Sequence, residues 1–138
     1  MHTARLIMIS SSLILMGLSS LTARAQTDTI ATGVASYYAN TFEGRKTSSG
    51  ELFRQDSLTA AHKTWPFGTL VRVTNLSNDS TVVVRINDRL PKSSSRSIDL
   101  SLSAAKQLNF VIKGLTRVRM EILPSRDPEK KENPASGE

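Results

Sequence analysis

The sequence predicts a mainly β protein, a small closed or nearly closed barrel with one or two short helices. Two observations carry this. Several short segments alternate apolar and polar residues with period two, separated by clusters of turn residues. Only one short stretch has helical spacing, and many short strands in a compact chain are best rid of exposed edges by closing into a barrel.

The first 25 residues read as a secretory signal peptide rather than as fold. Arg5 supplies the positive start, Leu6 to Leu18 is apolar apart from serines, and Ala23-Arg24-Ala25 is a small-residue cleavage site. The product is expected to be exported and soluble, periplasmic or secreted, with residues 26–31 as a short linker. Residues 124–138 are charged, proline-containing and free of large apolar side chains, so they are expected to stay disordered. Between them, residues 32–123 suffice for one domain.

Within that stretch, Thr32 to Tyr38 opens the domain as a strand. Leu70 to Asn75 alternates, with Val71 and Val73 on one face and Arg72 and Thr74 on the other. Ser77 to Ser80 is a turn cluster, after which Val82, Val84 and Ile86 share a face, so the two segments should form a β-hairpin. Trp65-Pro66-Phe67-Gly68 has proline and glycine where a type I turn favours them. Ser101 can cap a helix over Leu102 to Leu108, and Asn109 follows where a left-handed residue is often needed. Finally, Val118, Met120 and Ile122 alternate with Arg117, Arg119 and Glu121.

Composition narrows the function classes. With no cysteine, the chain has no disulfide framework, thiol nucleophile or lipid-modified cysteine anchor. The formal charge of +6 falls by two when Arg5 and Arg24 leave with the signal peptide. That balance suits an anionic partner such as cell-wall polymer, whereas nucleic acid fits poorly because aromatics are few and no binding motif is present. No metal is expected, since His62 would be the one histidine left and no paired-histidine spacing exists. No cofactor is expected either.

Three residues have chemical potential. Asp88, in Asn87-Asp88-Arg89, follows the apolar run Thr81 to Ile86, so a rigid scaffold would hold it open to ligand. Arg85 and Arg89 would favour its carboxylate, while burial or a second acid such as Glu51 would favour its protonated form. Glu51 lies in the loop Thr47-Ser48-Ser49-Gly50-Glu51, and His62 ends Thr59-Ala60-Ala61-His62. Asp99, just before the helix, is read as a structural residue that helps satisfy the helix's first amides.

The ordered set of segments is more specific than any one of them. Gly33 to Tyr38, Phe42 to Arg45, Thr47 to Glu51, Thr59 to His62, Pro66 to Thr69, Val71 to Leu76, Val83 to Arg89 and Ile98 to Ser101 together closely resemble the RlpA family of lytic transglycosylases. The resemblance implies a six-stranded double-psi β-barrel, shared with expansins and barwin-like proteins. It also implies endolytic cleavage of peptidoglycan between N-acetylmuramic acid and N-acetylglucosamine, leaving 1,6-anhydro ends, on strands poor in stem peptides. The family's functional residues fall on Glu51, His62 and Asp88, with Asp88 as acid and then base. Tyr37, Tyr38, Arg85 and Arg89 would meet substrate, core packing being the other use of the two tyrosines. Peptidoglycan strands and the cell-division or amidase machinery are the implied partners of a monomeric enzyme.

The chain also departs from the family pattern. Tyr37 and Ala39 replace a usual tryptophan and glycine, and Leu90 and Lys92 stand where glycine and phenylalanine are common. No C-terminal wall-binding repeat is present in this sequence. Two rival readings therefore stay open, a non-catalytic expansin-like wall-binding module and a glycoside hydrolase using two carboxylates.

Overall fold

The computed structural model describes residues 29–125. The predicted leader and most of the predicted tail lie outside that range. Six strands, β1 (Ile30–Tyr37), β2 (Thr59–His62), β3 (Leu70–Asn75), β4 (Thr81–Arg89), β5 (Ile98–Leu100) and β6 (Thr116–Ile122), close into a barrel in the order β1-β5-β2-β4-β3-β6. The β1/β5 and β2/β4 pairs are parallel and the other four are antiparallel. Closure pairs both edges of every strand, as the period-two pattern and the lack of any long helix suggested.

The alternations translate directly into the core. Val71, Val73, Val82, Val84, Ile86, Val118 and Met120 are buried, while Val83, Arg72 and Arg119, at the intervening positions, are exposed. The predicted hairpin forms between β3 and β4, its turn completed by Asp79 at φ 61°. One short helix, α1 (Leu102–Gln107), plugs an end of the barrel with Ala104, Ala105 and Leu108. Ser101 caps it by accepting the Ala104 N–H, and Asn109 adopts the expected left-handed conformation at φ 54°.

Two boundaries differ from the sequence reading, and two short strands were not legible in it. β1 starts at Ile30, so Ile30 and Ala31 belong to the barrel rather than to a linker, held by pairing with Glu121 and Met120. β4 runs on through Arg89, which places Asp88 inside a strand instead of beyond its end. β2 and β5 are too short to show periodicity and are strands because each has a partner on both sides.

A second apolar cluster lies apart from the main core. Tyr38, Phe53, Ala61 and Leu90 pack together, with the Tyr38 and Phe53 rings 4.2 Å apart. Leu90, one of the departures from the family pattern, is therefore a packing residue beneath the C-terminal end of β4, whereas Lys92 is exposed.

Candidate active site

The register of the short strands assembles a row of side chains across four adjacent strands. Ala61 on β2 pairs with Asp88 on β4 on one side and with Asp99 on β5 on the other, and Asp99 pairs in turn with Ser36 on β1. A register shift sets this alignment: Ala60 pairs with Ile86 but Ala61 pairs with Asp88, so that Asn87 is the bulged residue of β4. Two carboxylates thus stand two strand spacings apart, about 9–10 Å between Cα atoms, with Ala61 between them in the row and Tyr38 packed against Ala61.

Asp88 is heavily hydrogen-bonded. The Tyr38 hydroxyl donates to Oδ2 at 2.5 Å, and the backbone N–H groups of Ser48 and Arg89 donate to Oδ1 at 2.9 and 2.8 Å. Burial pushes its pKa up, but those donors outweigh it, and the net displacement is below the ordinary aspartate value. Burial and the bond to Asp88 drive the Tyr38 pKa far up, so this hydroxyl keeps its proton.

Asp99 is displaced the other way. It is 7% exposed, and burial raises its pKa more than the Ser36 hydroxyl bond at 2.8 Å and the Arg96 guanidinium at 3.8 Å lower it, with the Asp88 charge adding to the rise. Sequence reasoning assigned Asp99 to capping α1, but Ser101 fills that position and the Asp99 carboxylate turns to Ser36 and Arg96. The polar residue between Ile98 and Leu100 was the available signal, and three residues are too few to make it legible.

Glu51 reaches the same strand by another route. Its loop is held by the Thr47 N–H to the Glu51 carbonyl at 2.7 Å and by the Ser49 N–H to the Asn87 carbonyl at 3.3 Å. Arg85 grips the carboxylate with two bonds of 2.7 and 2.9 Å, and Asn87 Nδ2 adds one at 3.2 Å. Arg85 first and Asn87 second lower its pKa. The same loop carries Ser48, so Glu51 and Asp88 are joined through one short segment, although no direct bond links them.

His62 stands apart from both acids. It pairs in register with Arg89, and alternation along β2 turns it to the opposite side from Ala61. Nδ1 accepts the N–H groups of Thr64 and Trp65 at 3.2 and 3.1 Å, which leaves the hydrogen of the neutral ring on Nε2. Burial, then Arg89 and Lys63, lower its pKa to about 4. Among the described residues, no hydrogen bond or ion pair joins Glu51, His62 and Asp88 to one another.

Both tyrosines make contacts within the barrel. Tyr37 donates to the Val111 carbonyl at 2.7 Å and meets Phe110 edge-on, and Tyr38 is buried. Arg85 holds Glu51, while the Arg89 guanidinium lies 4.1 Å over the Phe67 ring. Among the described residues, no cluster of three histidine, cysteine or acidic side chains could hold a metal ion.

A closed six-stranded double-psi barrel bearing a paired-carboxylate row is the class of protein that this fold and site define. The match to the lytic transglycolase family covers residues 30–120, and the chain belongs to that family. It is 50% identical over 93 residues to the endolytic peptidoglycan transglycosylase RlpA of Campylobacter jejuni, covering 67% of this chain and 34% of that one. It is 48% identical over 103 residues to the protein of that name from Neisseria meningitidis, covering 74% and 43% respectively. The chain thus spans less than half the length of these relatives. Among solved structures, a Streptomyces papain inhibitor (TM-score 0.56, 23% identity, 69% of this chain and 94% of that one) shares the fold. So does an expansin of Clavibacter michiganensis (TM-score 0.56, 21% identity, 72% and 52%).

Proposed function

We propose that this domain is an exported endolytic peptidoglycan transglycosylase acting between N-acetylmuramic acid and N-acetylglucosamine in peptide-poor glycan strands. The observation that carries the reading is Asp88 itself, partly exposed on β4 and held in place by the Tyr38 hydroxyl and the Ser48 and Arg89 amides at 2.5 to 2.9 Å. The family membership and the names of the relatives support peptidoglycan as the substrate.

The step needs a group that gives a proton and then takes one. Asp88 protonates the glycosidic oxygen as the bond to the muramyl C1 breaks and positive charge develops on the ring. The muramyl 6-hydroxyl oxygen then bonds to C1, and its proton passes to the Asp88 carboxylate just formed. This closes the 1,6-anhydro ring, consumes no water and returns Asp88 to its starting state. The Tyr38 hydroxyl and two backbone amides fix the position of the Asp88 carboxyl for both transfers. Glu51, fixed by Arg85, secures the loop that brings the Ser48 amide to Asp88.

Digestion of purified, peptide-stripped glycan strands followed by mass spectrometry tests the proposal. Anhydro-muramyl ends are expected, and Asp88→Asn should lower their yield about 10²–10⁴-fold with an unchanged circular dichroism spectrum. Reducing ends would replace this reading with a hydrolase, and bound but intact strands would replace it with a binding module.

A further inference from the structure

The turn between β2 and β3 carries two aromatic side chains that the proposed reaction does not use. Trp65 is partly exposed and Phe67 is 43% exposed. Neither is a slack surface residue. The indole lies parallel to the His62 imidazole, with ring centroids 3.9 Å apart and planes within 7°. The Phe67 ring is covered by the Arg89 guanidinium at 4.1 Å.

The backbone beneath the rings is fixed as firmly. Arg89 Nη1 donates to the Trp65 carbonyl at 2.8 Å, the Trp65 N–H donates to His62, and the Gly68 N–H donates to the Ile86 carbonyl at 2.8 Å. Gly68 sits at φ +88°, a conformation that closes the turn without a side chain. Arg89 directly follows Asp88 in β4, so the residue that braces both halves of the turn is the neighbour of the proposed acid and base.

From this geometry we infer that Trp65 and Phe67 form a sugar-binding platform, stacking against the apolar C–H face of a hexopyranose unit on the β2–β3 turn that Arg89 braces. The inference rests on the glycan reading of the site and names a contact for it. Rings fixed before binding lose little freedom when a flat apolar partner lands on them, and aromatic side chains bury much area on few rotatable bonds. His62 and Arg89 are positioning residues here, acting on the substrate through the two rings. This gives His62 a use that its separation from Asp88 otherwise leaves unexplained.

Trp65 is the only tryptophan in the chain, so intrinsic emission reports on the platform alone. The full chain carrying Asp88→Asn should be titrated with peptide-stripped glycan strands while tryptophan emission and calorimetric heat are followed together. A saturable emission change is expected at the calorimetric midpoint. Phe67→Ala should weaken binding about three- to tenfold, an amount appropriate to one aromatic contact, and in the active protein it should raise KM more than it lowers kcat. His62→Gln should leave the protein folded but shift the resting emission and weaken binding, which a residue with no role in placing Trp65 would not do.

Full calorimetric binding with no emission change, or undiminished affinity in folded Phe67→Ala and Trp65→Ala proteins, would overturn the platform. Normal cleavage by those variants would do the same and leave the transglycosylase reading in place. Strand binding at Trp65 without any cleavage by the unaltered protein would do the reverse.

Discussion

Replacing Tyr38 with phenylalanine removes one oxygen and little else. The ring stays packed against Phe53 and Leu90, while Asp88 loses its donor at 2.5 Å and keeps the two backbone amides. A hydrogen bond to a charged group contributes about 1.5–3 kcal/mol, and Asp88 is only partly buried, so solvent screening reduces this to about 1–2 kcal/mol at neutral pH. For a domain of this size that corresponds to a fall in Tm of about 4–16 °C. The pH dependence has a definite sign. The folded-state pKa of Asp88 lies below its unfolded value, so the stability it contributes is present above the unfolded pKa and is lost as pH falls through the folded one. Thermal melts of both proteins at pH 7 and pH 2 should therefore show a large Tm difference at the first and a smaller one at the second. Equal melting at pH 7, or the same difference at both values, would refute the argument that Tyr38 stabilises the ionised carboxylate.

Two further outcomes follow from other parts of the fold. His62 has its pKa lowered to about 4, so between the unfolded value near 6.5 and pH 4 the unfolded chain binds more protons. Stability should fall as pH drops through that window, and His62→Gln should flatten the fall in a plot of Tm against pH. Gly33 faces Ser97 so closely that an added Cβ would lie 1.9 Å from its Oγ and 2.6 Å from its Cβ. Gly33→Ala should thus cost about 1–3 kcal/mol in urea unfolding, with most of the loss recovered in a Gly33→Ala, Ser97→Gly protein.

Much of the barrel was legible in the chain because its longer strands bury one face. Val71 and Val73, Val82 to Ile86, and Val118 with Met120 each display the alternation that burial of one side requires, and Ser101 and Asn109 mark the ends of the helix. The order of motifs was enough to suggest the family. Thr59 to His62 and Ile98 to Leu100 were opaque as strands, since three or four residues carry no measurable period and all of them are buried.

Local pattern, cap chemistry and motif order are properties of neighbouring residues, and so the sequence by itself determined a small β-barrel, its hairpin, its helix and Asp88 as the residue to watch. Which acid stands beside Asp88 was a matter of register between strands distant in the chain. A single bulge at Asn87 set it, aligning Asp88 and Asp99 around one alanine, while His62 turned toward Trp65. The opposite displacement of the two carboxylates likewise comes from burial and from donors supplied by Tyr38, Ser48 and Ser36, which lie 40 to 63 residues away in the chain. Only closure of the barrel brings such groups within hydrogen-bonding distance.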